Sequence, residues 1–337
     1  MQTSQGPSWC DLAPVRKLSL VKPPAAKAVR EPALPGAVVP SSLNLPSRDR
    51  LVGFGLMLLA MLFFATLDTT AKLVTHDVPT LQVIWLRYAV HTVVMLAIFN
   101  PLHHREAFVV RRPGMQVMRA LFLTANTSLN FLAVQYLQLT QTVTITFLAP
   151  LLIAMLSAFF LKEYVGPRRW AAIAVGFCGV LVVTRPGAGE MNWAILLSLG
   201  SVLMYSVYVL FTRHLGQSET AGSMILISAV VPTVLMAPLV PSVWIWPSEP
   251  HVLILLFCLG LFGGFGHYLL IEAHRRVAAN ELAPMTYTQI TWMIFYGYAV
   301  FGDVPDGWTI AGAAIVILSG LYLLWRENIH RRLQPRT

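Results

Sequence analysis

The feature that most constrains this chain is a succession of long apolar segments separated by short interruptions. From Leu51 onward the segments are roughly 17–24 residues long, enough for a helix to cross about 30 Å of hydrocarbon. Because unpaired backbone groups are costly in lipid, each segment is expected to be a helix. We predict an all-α integral membrane protein with ten transmembrane helices, near residues 51–74, 81–99, 115–136, 139–161, 168–184, 192–213, 222–240, 252–273, 280–301 and 307–325.

The composition excludes an ordinary soluble enzyme. Of the 337 residues, 56% are hydrophobic and 12% are charged, whereas soluble chains are roughly 45–50% apolar and about 25% charged. The formal net charge of +9 could suggest a nucleic-acid partner, but the cations lie in short runs between the apolar segments. We therefore predict a lipid bilayer as the environment and no nucleic-acid partner.

The Lys and Arg residues predict how the chain is oriented. With the N-terminus in the cytoplasm, the inward loops and ends carry most of these cations after residue 47, and the outward ends carry Lys72 and Arg185. Cytoplasmic loops of membrane proteins show this excess. We predict a multi-pass protein of the cytoplasmic (inner) membrane with both termini inside. Residues 1–50 are predicted to be a disordered Pro-rich tail, with a downstream start site as the alternative, and residues 326–337 a basic tail.

A faint internal repeat divides the membrane region into two halves. The run FFLKE at 159–163 precedes a proline turn and an apolar helix, and VFGD at 300–303 does the same about 140 residues later. Five helices per half is an odd number, so the halves should be inverted relative to one another. We predict repeats at 51–185 and 191–325, with a site at their interface near the bilayer midplane.

Several runs resemble one known family, the EamA type of the drug/metabolite transporter superfamily. They are FLAPLL at 147–152, FLKE at 160–163, PRRWAA at 167–172, GFCGV at 176–180, GHYLLI at 266–271, AHRR at 273–276 and FGDVPD at 301–306. The resemblance covers about residues 51–325 and implies ten helices in two inverted five-helix EamA repeats. Asp303 stands where the family more often has Glu. Family members include exporters of amino acids and toxic cations and importers of riboflavin or S-adenosylmethionine, so the substrate stays open.

Ionisable residues inside the first two spans are functional candidates, because charge in a membrane is costly. Asp68 and Lys72 lie four apart on the first helix; they either neutralise each other or form a gate or coupling carboxylate. Arg87 either pairs with Asp68 or binds an anionic group of the substrate. His91 is either satisfied by a neighbouring helix or carries protons.

Polar residues of the next two spans have two interpretations. Asn126 and Asn130 share a face of the third helix, where they either hydrogen-bond to another helix or form a wall of the substrate pathway. Pro150 lies within the fourth span and is expected to kink it, because proline removes one helical hydrogen bond.

The second half contributes aromatic and polar candidates. Tyr287, Gln289 and Trp292 lie too deep in the ninth span to be interface anchors, and aromatic rings with a few polar groups suit a flat or amphipathic organic ligand. They are therefore the preferred substrate contacts. The remaining candidates for the substrate pathway are Tyr205, Tyr208 and His267.

These residues predict a secondary transporter of a small organic metabolite (an amino acid or amine, or a riboflavin-like or S-adenosylmethionine-like compound) working by alternating access. An exporter of drugs or toxic compounds is the alternative. A membrane-embedded transferase is more distant, since the paired histidines at 103–104 lack an acidic cluster. No cofactor, metal or nucleotide motif is expected. Protons as coupling ion and a homodimer are left open.

Overall fold

The computed structural model describes residues 47–99, 105–160, 166–185, 193–216, 218–277 and 279–333. Over these residues the regular structure is entirely helical, which confirms the predicted all-α class. The α-helices are α1 Ser47–Val74, α2 Thr80–Ile98, α3 Pro113–Tyr136, α4 Leu139–Thr146, α5 Ala149–Phe160, α6 Pro167–Thr184, α7 Ala194–Leu215, α8 Ala221–Met236, α9 Pro250–Arg276, α10 Ala279–Leu282, α11 Gln289–Phe301 and α12 Gly307–Leu333.

Within the described ranges, eight helical stretches are long and apolar enough to cross a membrane. They are Arg48–Val74, Thr80–Ile98, Pro113–Tyr136, Leu139–Phe159, Pro167–Thr184, Ala194–Leu215, Pro250–Arg276 and Gly307–Arg326. The other two predicted spans differ. Helix α8 has 16 residues and ends before Pro238, which lacks the N–H that would continue the helical hydrogen bonds. In the ninth segment Pro284 begins a 3-10 turn, Ala283–Thr288, between α10 and α11.

The predicted tails and helix ends are shifted by a few residues. Helix α1 begins at Ser47, four positions before the expected start, and α12 continues to Leu333, past the expected end at 325. The remainder of both predicted tails, and the Lys162–Glu163 part of the repeat, lie outside the described residues.

The fourth and ninth segments are interrupted at equivalent places. Helices α4 and α5 are separated by a turn at residues 147–148, and Pro150 is the second residue of α5. One repeat length later, Tyr287 lies in the 3-10 turn before α11. The rings of Phe147 and Tyr287 meet edge to face, with centroids 4.8 Å apart. The two breaks therefore contact each other between the halves.

The two halves of the chain pack on each other reciprocally. Helix α1, first of the first half, packs on α9, third of the second, and α7 packs on α3 in the same way. Likewise α2 packs on α9 and α8 on α3, while α2 pairs with α8 and α6 with α12. Two similar units related by a two-fold axis make such exchanged contacts. The interface between the halves therefore runs along α1, α3, α7 and α9.

Helix α12 begins with a side-chain cap that links it to α6. Asp306 accepts a hydrogen bond from the backbone N–H of Thr309 at 2.8 Å, and it pairs with Arg185 at the end of α6. The bonds with Thr309, and then the charge of Arg185, hold the pKa of Asp306 below its ordinary value. The cap therefore stays ionised at neutral pH.

We expect Asp306→Ala to lower the free energy of unfolding by about 1 kcal/mol at neutral pH, the usual effect of losing a cap. Because the pKa of Asp306 is lower in the folded protein, this contribution is complete above the unfolded-state pKa and disappears as the pH falls through the folded-state value. Unfolding of the variant and the parent in detergent, at neutral and at acid pH, measures the loss of stability and its disappearance on acidification. Asp306→Asn keeps a capping oxygen, so its free energy of unfolding should fall by less than that of Asp306→Ala. An equal fall for the two variants would contradict the role of Asp306 as a cap.

Candidate functional site between the two halves of the chain

Asp68 lies half-buried on α1 and is bonded to α3. Its Oδ1 accepts a hydrogen bond of 3.0 Å from Nδ2 of Asn130. The neighbouring hydroxyls of Thr69 and Thr70 instead donate to backbone carbonyls one turn earlier in α1. Among residues 68–70, Asp68 is thus the one whose side chain hydrogen-bonds to another helix.

Lys72, one turn further along α1, bonds to the second half and not to Asp68. Its Nζ donates to the carbonyl of Leu137 at 3.0 Å and to Oδ2 of Asp303 at 3.2 Å, and lies 4.6 Å from the ring centre of Phe301. The interpretation of Asp68 and Lys72 as a mutually neutralised pair is therefore wrong, because Lys72 has a carboxylate across the interface. The role of either residue in gating stays a prediction.

A left-handed turn brings Asp303 back to Lys72. Helix α11 ends at Gly302, whose φ is 69°, a conformation that favours glycine. The N–H groups of Gly302 and Asp303 then bond to the carbonyls of Tyr298 and Gly297, as in a helix C-cap. The position of the carboxylate therefore depends on Gly302.

A second ion pair joins the same elements at their other end. Arg50 near the start of α1 contacts Glu281 of α10 at 2.5 Å. Arg50 and Lys72 are 22 positions apart, as are Glu281 and Asp303, so the pairs are separated by about 33 Å of helix. That is close to the thickness of a hydrocarbon core. Helix α1 and the segment 279–303 are thus linked at both ends.

Arg87 and His91 lie buried where α2 packs on α9. Arg87 is 4% exposed; its Nη1 donates to Thr127 of α3 at 3.4 Å, and its guanidinium lies 4.7 Å from the ring centre of Tyr88. The ring of His91 stacks on that of His267, 5.7 Å away and nearly parallel. Arg87 and Asp68 do not form a direct hydrogen-bonded pair in the described structure, since their hydrogen bonds go to Thr127 and Asn130.

Glycines of α9 make room for these side chains. A Cβ at Gly263 would lie 3.3 Å from Nε of Arg87, and one at Gly264 would lie 3.3 Å from His91. His267, further along α9, meets the edge of Phe64 at 5.1 Å. The structure therefore brings together three of the predicted residues, Arg87, His91 and His267, although nothing in the sequence indicated the stacked pair.

Asn126 joins α3 to α7, as the helix-bonding interpretation allows. Ser201 donates to Oδ1 of Asn126 at 2.8 Å and also to its backbone carbonyl. One turn further along α7, Tyr205 and Tyr208 lie with ring centres 6.0 Å apart. These residues line the packed contact between the first helix of the second half and the third helix of the first.

Arg119 is a further buried charge, on α3, and it is one of the cations that the charge bias places toward the cytoplasm. It is 1% exposed and donates to Ser228 at 2.8 Å, to the carbonyl of Met224, and to Thr212 and Gln116 at 3.4 Å each. It thereby ties α3 to α7 and α8. Its position nearly two turns into α3 could have indicated burial, but its closeness in sequence to the loop arginines Arg111 and Arg112 favoured a helix-end interpretation.

The aromatic candidates of the second half are packed differently from expectation. Tyr287 is 7% exposed and belongs to the hydrophobic core, where it fits against Gly320 so closely that a Cβ there would collide with its hydroxyl. Trp292 packs on the same core, and Gln289 is half-buried at the start of α11. Their role as substrate contacts stays a prediction.

The family is settled by comparison with known sequences. Residues 51–185 and 192–326 each match the EamA-like transporter family. The chain belongs to this family. The resemblance of the sequence to EamA-type transporters is thus confirmed, and the protein is a multi-pass membrane transporter built from two EamA repeats.

Curated relatives of this EamA-like protein move small metabolites. It is 26% identical to the S-adenosylmethionine uptake transporter of Rickettsia conorii, over 85% of this chain and 97% of the relative. It is 26% identical to the riboflavin transporter of Vibrio cholerae, over 82% and 94%. It is 23% identical to the pseudopaline exporter of Pseudomonas aeruginosa, over 80% and 95%.

A solved structure shares the fold. One crystal structure matches 86% of this chain and all of its own chain with a TM-score of 0.55 and 18% sequence identity. At this identity the likeness concerns the fold alone. The EamA-like fold described here is therefore one already seen by crystallography.

Proposed function

We propose that the protein is a secondary transporter that moves a small organic metabolite by alternating access. In this proposal ten segments cross the bilayer as two inverted five-helix repeats that rock against each other. The observation that carries it is a set of charged groups inside apolar helices at that interface: Lys72 bonds across it to Asp303, and Asp68 and Arg87, on helices that pack on α9, bond to α3 of their own half. Ionisable groups at such a depth are a feature of transport pathways.

The orientation and assembly are part of the same proposal. The excess of Arg and Lys on one side of the helices supports two cytoplasmic termini in the inner membrane. The substrate is an amino acid or amine, a riboflavin-like or an S-adenosylmethionine-like compound, which the names of the relatives support. A homodimer is proposed as well, and the mass of the purified protein in detergent tests it.

Counterflow in proteoliposomes tests the proposed activity. Vesicles holding purified protein are loaded in turn with S-adenosylmethionine, riboflavin or a mixture of the protein amino acids, and entry of the labelled compound is followed. We expect saturable entry of at least one compound, above that of protein-free vesicles. Equal entry in both kinds of vesicle for the whole set would refute the proposal.

Export of a toxic or secreted compound is a second candidate. The similarity to the pseudopaline exporter favours it. Metabolite profiles of cells with and without the gene separate the directions, because export predicts accumulation of one compound outside the cell, whereas uptake predicts its depletion inside after deletion.

Asp68 is the proposed coupling group if protons drive transport. We expect Asp68→Asn to abolish accumulation driven by a pH gradient and to keep exchange at saturating substrate, because an amide retains a bond with Asn130 but cannot release a proton. Glu272→Gln is the control, since Glu272 is already paired with Arg275 and Arg276 at the end of α9. Unchanged pH-driven accumulation by Asp68→Asn would remove Asp68 from this role.

A further inference from the structure

The opposite charges of Asp68 and Arg87 lie at the interface between the repeats, but each is hydrogen-bonded to a neutral side chain and not to the other charge. Asp68 is bonded to Asn130 and Arg87 to Thr127. Both partners lie on α3, three positions apart, so the two residues that hold the charges are offset by about 4.5 Å along that helix. Arg87 and Asp68 interact electrostatically, yet in the described structure each donates to or accepts from a neutral side chain.

Hydrogen-bonding groups around Arg87 are left without partners. Nε of Arg87 and both ring nitrogens of His91 are among the buried, unbonded side-chain atoms of the described residues. Such groups are nearly always hydrogen-bonded in folded proteins, and leaving one unbonded is costly. The arrangement therefore has a free N–H on the cation itself, one donor and one acceptor nitrogen on a neutral His91 ring, and at Asp68 a carboxylate with one hydrogen bond to a described side chain.

Arg119 provides the internal comparison for a structural role. It is equally buried, but four oxygen acceptors from three helices surround its guanidinium, one of them at 2.8 Å. Nε is unbonded in both arginines, but among the described residues the other guanidinium nitrogens of Arg87 have one acceptor, at 3.4 Å. Packing thus satisfies Arg119 far better than Arg87, and a purely architectural explanation fits the former better than the latter.

Charge balance selects the ligand. An anion bound at Arg87 would leave Asp68 uncompensated in a low-dielectric interior, and a cation bound at Asp68 would leave Arg87 uncompensated. A zwitterion compensates both. In an α-amino-acid group the ammonium and the carboxylate are attached to one carbon, which suits two charges held one helical turn apart, and the planar guanidinium binds a carboxylate through two parallel hydrogen bonds.

We infer that the transported metabolites carry an α-amino-acid group, whose carboxylate is bound by Arg87 with His91 and whose ammonium is bound by Asp68. The inference rests on the proposed transport function and narrows its substrate class. It assigns the rest of the substrate no contacts, so compounds with different side chains are accepted. A neutral compound such as riboflavin falls outside the class.

Matched ligands test the inference by thermal shift of the purified protein in detergent. The probes are S-adenosylmethionine with its decarboxylated analogue, and methionine with its methyl ester and with 4-(methylthio)butanoate, which lacks the amine. Riboflavin and a mixture of the protein amino acids complete the set. We expect stabilisation by an intact amino-acid group and at least about tenfold weaker binding of each truncated analogue, since one charged hydrogen bond contributes that much.

Failures of the inference and of the proposed function are distinguishable. Equal binding of intact and truncated probes, or binding of riboflavin with no response to any amino-acid compound, would overturn the inference while counterflow still establishes a transporter. The inference would also be overturned if none of the zwitterionic probes raised the unfolding temperature. Absence of counterflow for every compound would refute the transport proposal itself.

A double variant tests the inference without leaving a single uncompensated charge that could prevent folding. Asp68→Asn combined with Arg87→Gln removes both charges and leaves neither buried alone, so the protein is expected to fold. We expect its discrimination between intact and truncated probes to fall from about tenfold to less than about twofold. Cys178→Ser, at an exposed position of α6, is the control and keeps the discrimination. A double variant that still discriminates tenfold would contradict the inference.

Discussion

Replacing Gly312 with alanine is expected to lower the free energy of unfolding by about 3 kcal/mol, at the upper end of ordinary overpacking costs. A Cβ at this position would lie 2.6 Å from the backbone oxygen of Gly179 and would also collide with Val183. Backbone cannot move aside as a flexible side chain can, so α6 and α12 must separate. Unfolding of the detergent-solubilised protein by heat or SDS measures the loss.

Gly55 provides the matched control. It is exposed on α1, and a Cβ there would meet nothing within 4 Å. Gly55→Ala should therefore leave the protein as stable as the parent or raise the free energy of unfolding by up to about 1 kcal/mol, because alanine favours helix over glycine. Equal stability of Gly312→Ala and Gly55→Ala would show that α6 and α12 do not approach as closely as described.

The helices could be predicted from the sequence because bilayer thickness sets their length. Every predicted segment contains a helix within the described residues, and the break between α3 and α4 appears without any charge, where Gln138 and Gln141 form a capping box. The count of full-length spans could not be predicted, because prolines decide where helices end. Pro238 follows α8 closely, and Pro284 divides the ninth segment; hydropathy alone records neither effect.

The charged residues of the site could be predicted, but not their partners. Asp68, Lys72 and Arg87 stand out because charge is rare in apolar helices. Lys72, however, bonds to Asp303, 231 positions away, and helical spacing suggested the nearer Asp68. Spacing describes one helix face, whereas the partner depends on which helix of the other repeat packs there. The packing of Tyr287 could not be predicted for the same reason, since its contact with Gly320 exists only in the folded protein.

Covalent closure of either end of the contact between α1 and the segment 279–303 is expected to stop transport. Alternating access requires each end of the pathway to open in turn, and ion pairs close both ends of this contact: Arg50 with Glu281, and Lys72 with Asp303. Each pair is replaced by two cysteines in a background without the native cysteines. A short bifunctional thiol reagent is used, because side chains this long can hold their Cα atoms beyond the reach of a disulfide. Counterflow should fall to the level of protein-free vesicles.

A cross-link at a third ion pair, Arg185 with Asp306, is the control that distinguishes closure of a gate from a general effect of cross-linking. Arg185 and Asp306 join α6 to α12, where the backbones of Gly179 and Gly312 already touch and leave little room for movement. Bridging that pair should therefore preserve counterflow. If transport continued with both ends of α1 bridged, α1 and the segment 279–303 would move as one body, and the opening would have to lie along α3 and α7, the reciprocal pair. If all three bridges stopped transport, α6 and α12 would have to slide during the cycle, and their glycines would serve that movement more than static packing.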